Sequence, residues 1–422
     1  MTTTAPRPEM RRPSGPRGGA LGWTASLRQG LDRPLTSYQL VIGVTGILLG
    51  LGLVMVLSAS SVLSFTNNDG NSYVIFSRQV MWVALGIPAA WLASLLPVRV
   101  MRWMAYPALL GSIVLIALTY VPGLGVDVNG NQNWLNVGGP FTVQPSEIAK
   151  LGLVLWVADL YARKDAVLDD WKHLVIPMLP VTLLVTTMVV LQGDLGTALV
   201  FFAIIAGSLF VVGAPARLLL VLLAALTAMA AYFANAEPER VERLATFTDP
   251  MADLQGEGWQ AGHGLYALAS GSFWGVGLGG SRQKWGTLPE AHTDFIFAVI
   301  GEELGLFGTL MVLGLFMLLA YTGLRIAMRT KDPFVRYASA GITVWLLSQS
   351  VINFGMVLGL LPVIGIPLPL VSYGGSALLP TLVALGMLAA FAKTEPGARA
   401  ALASRRSKRR RVRARLAAGR DA

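Results

Sequence analysis

The sequence predicts an all-α, polytopic membrane protein: about ten transmembrane helices, both termini cytoplasmic, and one large extracytoplasmic loop between helices seven and eight. Three observations carry that prediction. The 422 residues are 54% hydrophobic and only 13% charged, with a mean hydropathy of +0.60. A soluble domain carries about 25% charged residues, and half that figure cannot cover a water-facing surface. Apolar runs near the length of a bilayer crossing, roughly 20 residues, recur ten times. Finally, the basic residues fall on one side of the membrane that ten crossings define.

The runs lie near 41–59, 79–96, 104–121, 146–162, 174–191, 195–213, 217–235, 295–323, 337–360 and 373–392. Ten crossings put both ends of the chain on one side. Of 33 Lys and Arg, 27 then fall on that side, in the two tails and in short connections such as Arg99/Arg102, Arg163/Lys164/Lys172 and Arg325–Arg336. Cytoplasmic loops carry such an excess, so that side is expected to be the cytoplasm. The formal charge of +10 belongs to the tails: residues 1–37 carry +4, residues 393–422 carry +9, and the body carries −3. The expected organisation is a disordered basic tail (1–37), a ten-helix membrane domain (38–392) and a disordered polybasic tail (393–422). The run RRSKRRRVRAR (405–415) follows a helix end, where anionic lipid attracts it, so no nucleic-acid partner is expected.

The absence of cysteine excludes disulfide frameworks, thiolate metal sites and a cysteine nucleophile. Three histidines (His173, His263, His292) leave little for a histidine-based metal site. Chemistry is therefore sought in polar residues on the outer face, where the two long loops lie (122–145 and 236–294). The GVGLGG stretch (275–280) follows no strand and opens no nucleotide-binding unit, so it is not read as a dinucleotide loop.

Spans running from outside to inside begin with polar residues: Ser146-Glu147, Asp194, Thr293-Asp294 and Ser372. Ordinary capping of orphan N–H groups explains such residues. If the ends converge, they also form a positive rim suited to an anion such as pyrophosphate. Glu147 and Lys150, three apart on one helical face, suit a structural pair or a substrate contact. Glu302-Glu303 lie inside a span, where an acid is costly unless it faces the bundle interior. Arg78 is a partner for an unidentified acid. Trp134, Trp259, Trp274 and Trp285 are placed to stack on sugars, although tryptophan is also enriched at membrane interfaces.

Four segments resemble a known family. QPSEIAKLGL (144–153), QGDLGTALV (192–200), PEAHTDFIFAVIGEELG (289–305) and LPLVSYGGSA (368–377) are similar to signature segments of the SEDS proteins (shape, elongation, division and sporulation). The third and fourth look more like the division branch than the elongation branch. The resemblance implies a peptidoglycan glycosyltransferase that polymerises lipid II at the outer leaflet, releases undecaprenyl pyrophosphate and works with a class b penicillin-binding protein at the bacterial septum. It implies that Asp294 is the catalytic carboxylate, with Glu147, Lys150, Asp194, Glu290, His292, Thr293, Trp134, Ser372 and Tyr373 expected around the substrate. The family's frequent basic residues are replaced here by Asn133 and Ile364, which leaves Lys150, Arg282 or Lys284 to stabilise the leaving group. A helix N-terminus should lower the pKa of Asp294, so burial or the acids Glu290 and Glu302 must raise it again for base catalysis. The sequence identifies no cofactor; a divalent cation, Mg or Mn, bridging Asp294 and pyrophosphate is an open alternative by analogy with other pyrophosphate chemistry, with no ligand spacing behind it. The alternatives are a lipid II flippase, which the intramembrane acids would suit, an elongation polymerase of the same family, and a scaffold without catalysis.

Overall fold

The computed structural model describes residues 33–404, apart from 129–130, 139–140, 169, 237–249, 252–253, 255 and 257. Most of the basic tails, including 405–415, and Arg240 and Arg243 of the large loop lie outside the described residues.

Helices occupy all ten expected places. They are α1 Thr36–Asn67, α2 Val74–Leu95, α3 Val98–Leu118, α4 Pro145–Lys164, the pair α5 Trp171–Val175 and α6 Met178–Leu191, α7 Leu195–Val212 and α8 Ala216–Ala236. After α9 (Trp259–Gly271) within the large loop come α10 Ile296–Arg329, α11 Pro333–Val357 and α12 Gly375–Ala392. Pro177 at the start of α6 divides what the hydropathy alone reads as one span. Asp332 caps α11 through the N–H groups of Phe334 and Val335, and Gly213 ends α7 in the left-handed conformation. Residues 396–404 of the second tail are helical rather than disordered.

Among the described residues eight of these helices are long and apolar enough to cross a membrane by length and composition. α8 is apolar over a shorter described length, Ala216–Ala228. The other exception is α4, which carries Glu147, Lys150, Asp159, Arg163 and Lys164. It need not be apolar because it faces protein: fifteen of its residues are buried, and it packs on α3, α11 and α12. Lipid instead meets the exposed apolar side chains of the peripheral helices, such as Trp91, Leu110, Phe210 and Met317.

Small residues set the closest helix approaches, as expected where no hydrophobic effect drives helices together. Gly375 and Gly386 of α12 lie against Trp82 and Ala90 of α2, and Gly152 of α4 lies on the backbone of Ala108 in α3. At the other membrane face, Lys393 Nζ donates to Ser94 O (2.9 Å) and sits over the Tyr38 ring. The start of α1, the end of α2 and the end of α12 therefore meet on the face that bears the termini.

Two features depart from the sequence reading. Loop 122–145 forms a three-stranded antiparallel sheet, β1 Gly125–Val128, β2 Asn131–Gly138 and β3 Phe141–Val143. Its signal was the Asn129-Gly130 and Gly138-Gly139 dipeptides, which favour hairpin turns. The second feature is a break in α10 at Gly305 (φ 66°, ψ −163°). The segment 272–277 runs alongside that break: Val276 N donates to Glu302 O (2.9 Å), Gly277 N to Glu303 O (3.0 Å) and Leu306 N to Ser272 O (2.9 Å). A Cβ at Gly305 would strike the backbone of Phe273 and Gly275. Gly305→Ala is therefore expected to cost about 1–3 kcal/mol for the backbone conformation alone, read as a lowered apparent Tm of the purified protein.

Candidate active site at the converging helix N-termini

The ends of the inward-running helices are brought together. Gln144 N, at the N-terminus of α4, donates to Ser376 Oγ in the first turn of α12 (2.6 Å), and Gln144 Nε2 donates to Asp194 Oδ2 at the N-terminus of α7 (2.7 Å). Ser372 Oγ donates to Thr293 O, just before α10 (2.6 Å), and Tyr373 N donates to His292 O (2.9 Å). From α2, Gln79 donates to Ser372 O and accepts from Gly374 N, both at 3.3 Å. The N-termini of α2, α4, α7, α10 and α12 thus surround one spot.

Only one of the expected polar caps is a cap. Asp194 Oδ1 accepts from Thr197 N (2.9 Å), while Oδ2 takes Gln144 and, at 3.3 Å, Asn133 Nδ2. Ser372 instead ties the loop to itself, accepting from Leu368 N (2.8 Å). Asp294 precedes α10 without capping it, because the N-cap position is Phe295 and carries no side-chain cap.

Asp294 is held by its backbone. Asn353 of α11, fully buried, donates from Nδ2 to both Asp294 O (2.8 Å) and Ile366 O (2.7 Å). This clamp sets the partly buried carboxylate against Gly365, whose φ of +72° lets the loop pass bare; a Cβ there would sit 3.5 Å from Asp294 Oδ2. Among the described residues nothing donates a hydrogen bond to that carboxylate. Burial, with the negative charges of Glu290 and Asp194 adding to it, raises its pKa from 3.8 to about 7. Glu302, expected to share that role, does not.

Glu302 and Glu303 serve the fold. Glu302 accepts from Ser281 Oγ and from Arg282 N (2.9 Å). Glu303 accepts from Ser58 Oγ (2.7 Å) and pairs with Lys284 Nζ (3.1 Å). They anchor the segment beside the α10 break, which also commits Lys284 to structure. Lys150 is similarly committed: it pairs with Glu147 (2.8 Å) and donates to Gln349 Oε1 (3.0 Å), whose Nε2 donates to Pro367 O (3.0 Å). Of the basic residues considered for the leaving group, Arg282 is exposed; Arg78, read from the sequence as an acid's partner, is exposed as well and lies beside Tyr373, in the loop before α12.

The remaining expected residues gather close by. Glu290 (φ 51°) accepts from Thr293 Oγ1. His292 stacks at 5.4 Å on Tyr373, and burial lowers its pKa while Glu290 opposes the shift. The lowering favours its neutral form. Trp134 neighbours Asn133 on β2, whereas Trp274 and Trp285 are exposed on the large loop, Trp274 against Phe307 (4.9 Å). Trp259 is fixed by donation to Thr287 O (2.6 Å), and His263 by Gln283 (2.7 Å). Sequence reasoning missed Asn353, Gln349, Gln144 and Gln79. For two of them a signal was available: Gln349 and Asn353 are the two amide side chains of their span and stand four apart, on one face.

No group of three His, Asp or Glu among the described residues is placed to hold a metal ion.

The sequence profile of the FtsW/RodA/SpoVE cell cycle proteins matches residues 38–396. The chain belongs to this family. It is 43% identical over 372 residues to a protein of Mycobacterium tuberculosis named probable peptidoglycan glycosyltransferase FtsW, covering 88% of this chain and 71% of that one. It is 36% identical to stage V sporulation protein E of Bacillus subtilis, covering 83% and 95%. Among solved structures it is similar to the rod shape determining protein RodA of Thermus thermophilus (TM-score 0.62, 31% identity, covering 84% and 97%). It is also similar to a chain of a peptidoglycan synthase complex that coordinates polymerization and crosslinking (TM-score 0.67, 31% identity, covering 84% and 96%). The family's signature segments here are the ones that build the cluster of N-termini.

Two outcomes test this electrostatic arrangement. Because the folded pKa of Asp294 lies above its ordinary value, ionising it costs the folded state, and stability declines as pH rises from 3.8 through about 7. Asp294→Asn is thus expected to raise the apparent Tm above pH 7, the gain fading toward pH 3.8. Lys150→Met, which strands Glu147 in the bundle, is expected to cost about 3–5 kcal/mol, with most of it restored in the Glu147→Leu/Lys150→Met double variant.

Proposed function

We propose that this chain is an FtsW-type peptidoglycan glycosyltransferase that polymerises lipid II at the outer face of the bacterial cytoplasmic membrane. The observation that carries the reading is Asp294: an unpartnered carboxylate, with a pKa of about 7, at the meeting point of five helix N-termini. A general base works best with a pKa near the working pH.

Asp294 takes the proton of the GlcNAc 4-hydroxyl of one lipid-linked disaccharide. That oxygen forms a bond to the anomeric carbon of MurNAc on another, and the bond from this carbon to undecaprenyl pyrophosphate breaks. Attack opposite the leaving group inverts an α-linkage to a β-linkage in one displacement. A glycosidase needs a second carboxyl group to protonate its leaving group; pyrophosphate leaves as an anion and needs positive charge. Arg78 supplies it, with the N-termini of α4, α10 and α12, none of which carries a side-chain cap. Clamping by Asn353, Ser372 and Gln79 holds the base in one place, so the reaction gains from positioning. Trp134, Trp274 and Trp285 offer stacking surfaces for the sugars. The similarity to FtsW proteins and to the synthase complex supports a class b penicillin-binding protein as the partner that crosslinks the product, and action at the division septum.

The flippase alternative rested on free acids within the membrane, and Glu302 and Glu303 are both occupied. The decisive assay is polymerisation of labelled lipid II with the partner's crosslinking site inactivated. Wild type is expected to yield polymer at a rate rising with pH around 7, and Asp294→Ala none. Equal polymer from a folded Asp294→Ala would refute the base assignment. Arg78→Gln is expected to slow polymerisation roughly tenfold to a hundredfold, the loss of one charge-assisted contact, with Arg78→Lys retaining part of it.

A further inference from the structure

On the face that bears the termini, an open groove of about 520 Å³ runs between the start of α3 and the end of α4, far along the chain from the converging N-termini. Its walls combine three guanidinium groups (Arg99, Arg102, Arg163) with Trp103, Tyr106, Pro107 and Leu110. Asp159 explains why two of the arginines hold their places. Its fully buried carboxylate pairs with Arg102 and with Arg163 (2.8 Å), and Arg163 also lies over the Tyr106 ring (5.4 Å). The two arginine heads still reach the surface, with side chains 39% and 58% exposed. Arg99 is exposed and, among the described residues, has no ion-pair partner. One acid against three permanent cations leaves the groove with two positive charges.

The apolar wall is as informative. Trp103, Pro107 and Leu110 follow one another along one face of α3, and Trp103 and Leu110 are 73% and 62% exposed. This strip starts at the arginines and runs into the span, toward the middle of the bilayer. A soluble anion would use the charges and leave the strip unmet.

We propose that this groove binds the phosphate headgroup of an anionic glycerophospholipid from the leaflet on the termini side, with an acyl chain along Trp103, Pro107 and Leu110. Basic pockets between transmembrane helices on that side suit such headgroups. The site is separate from the chemistry around Asp294 and stands whether or not the polymerase reading holds.

Binding is measured by native mass spectrometry on the full chain in neutral detergent, titrated with dioctanoyl phosphatidylglycerol, dioctanoyl phosphatidylcholine or glycerol 3-phosphate. The phosphatidylglycerol is expected to bind, and Arg99→Gln to weaken it roughly fivefold, the contribution of one arginine near an anionic headgroup. Arg217→Gln removes the same charge from the start of α8, on the same face and outside the groove, and is expected to change little. Leu110→Asn, which leaves every charge in place, is expected to weaken phosphatidylglycerol further. Equal binding of phosphatidylcholine, or equal weakening by Arg217→Gln, would overturn the proposal. Glycerol 3-phosphate binding as tightly as the lipid would reassign the groove to a soluble phosphate and overturn it as well.

Discussion

A carboxylate inside a helical bundle must be met by a cation or by hydrogen-bond donors, and this requirement organises the chain. Each acid within the spans has found its answer. Glu147 has Lys150 and Asp159 has two arginines; Glu302 and Glu303 have Ser281, Ser58, Lys284 and the backbone of the large loop. The pairing explains features that otherwise look unrelated. α4 tolerates its charges because it is the helix other helices cover. The break at Gly305 persists because the loop held by Glu302 and Glu303 fills it with hydrogen bonds. Against that pattern the Asp294 carboxylate, at the outer end of α10, receives no hydrogen bond among the described residues.

The spans were legible in the sequence because hydropathy is a local property of about 20 residues and bilayer thickness is fixed. What local composition does not encode is which residues meet. Glu302-Glu303 read as intramembrane acids of unknown purpose, since their donors Ser58 and Ser281–Lys284 come from an earlier span and a distant loop. Lys284 read as a cation for the leaving group for the same reason: nothing near it in sequence shows Glu303. The Gly305 break was hidden because glycine in an apolar run is ordinary in membrane helices.

At the site the balance was different. Polar residues opening successive spans would form a positive rim if their helix ends converged, and contacts among Gln144, Ser376, Asp194, Thr293 and Ser372 bring those ends together. Physics alone could not choose Asp294 over Asp194, two acids at two helix starts; the resemblance of the HTDF segment made that choice. The structure separates them physically, since Asp194 is engaged by Thr197, Gln144 and Asn133, while the Asp294 carboxylate receives no hydrogen bond among the described residues. Asn353 and Gln349 escaped notice because neither is charged, although a buried amide in hydrocarbon also has to be satisfied.

The raised pKa of Asp294 looks at odds with its place among helix N-termini, which favour negative charge. The resolution lies in which ends are already answered. Asp194 caps the α7 terminus, so part of the positive rim is spent on a fixed acid. Asp194, with Glu290, adds negative potential where Asp294 sits. A carboxylate that neither caps a helix nor meets a cation gains little from the remaining dipoles and loses its water. The uncapped ends and Arg78 are left for a mobile anion. On the proposed reading, a site built this way keeps a carboxylate of raised pKa for the proton and its positive charge for the pyrophosphate that leaves. Placing one carboxylate off the helix axes while the termini surround it separates the two tasks that a single cationic pocket would set against each other.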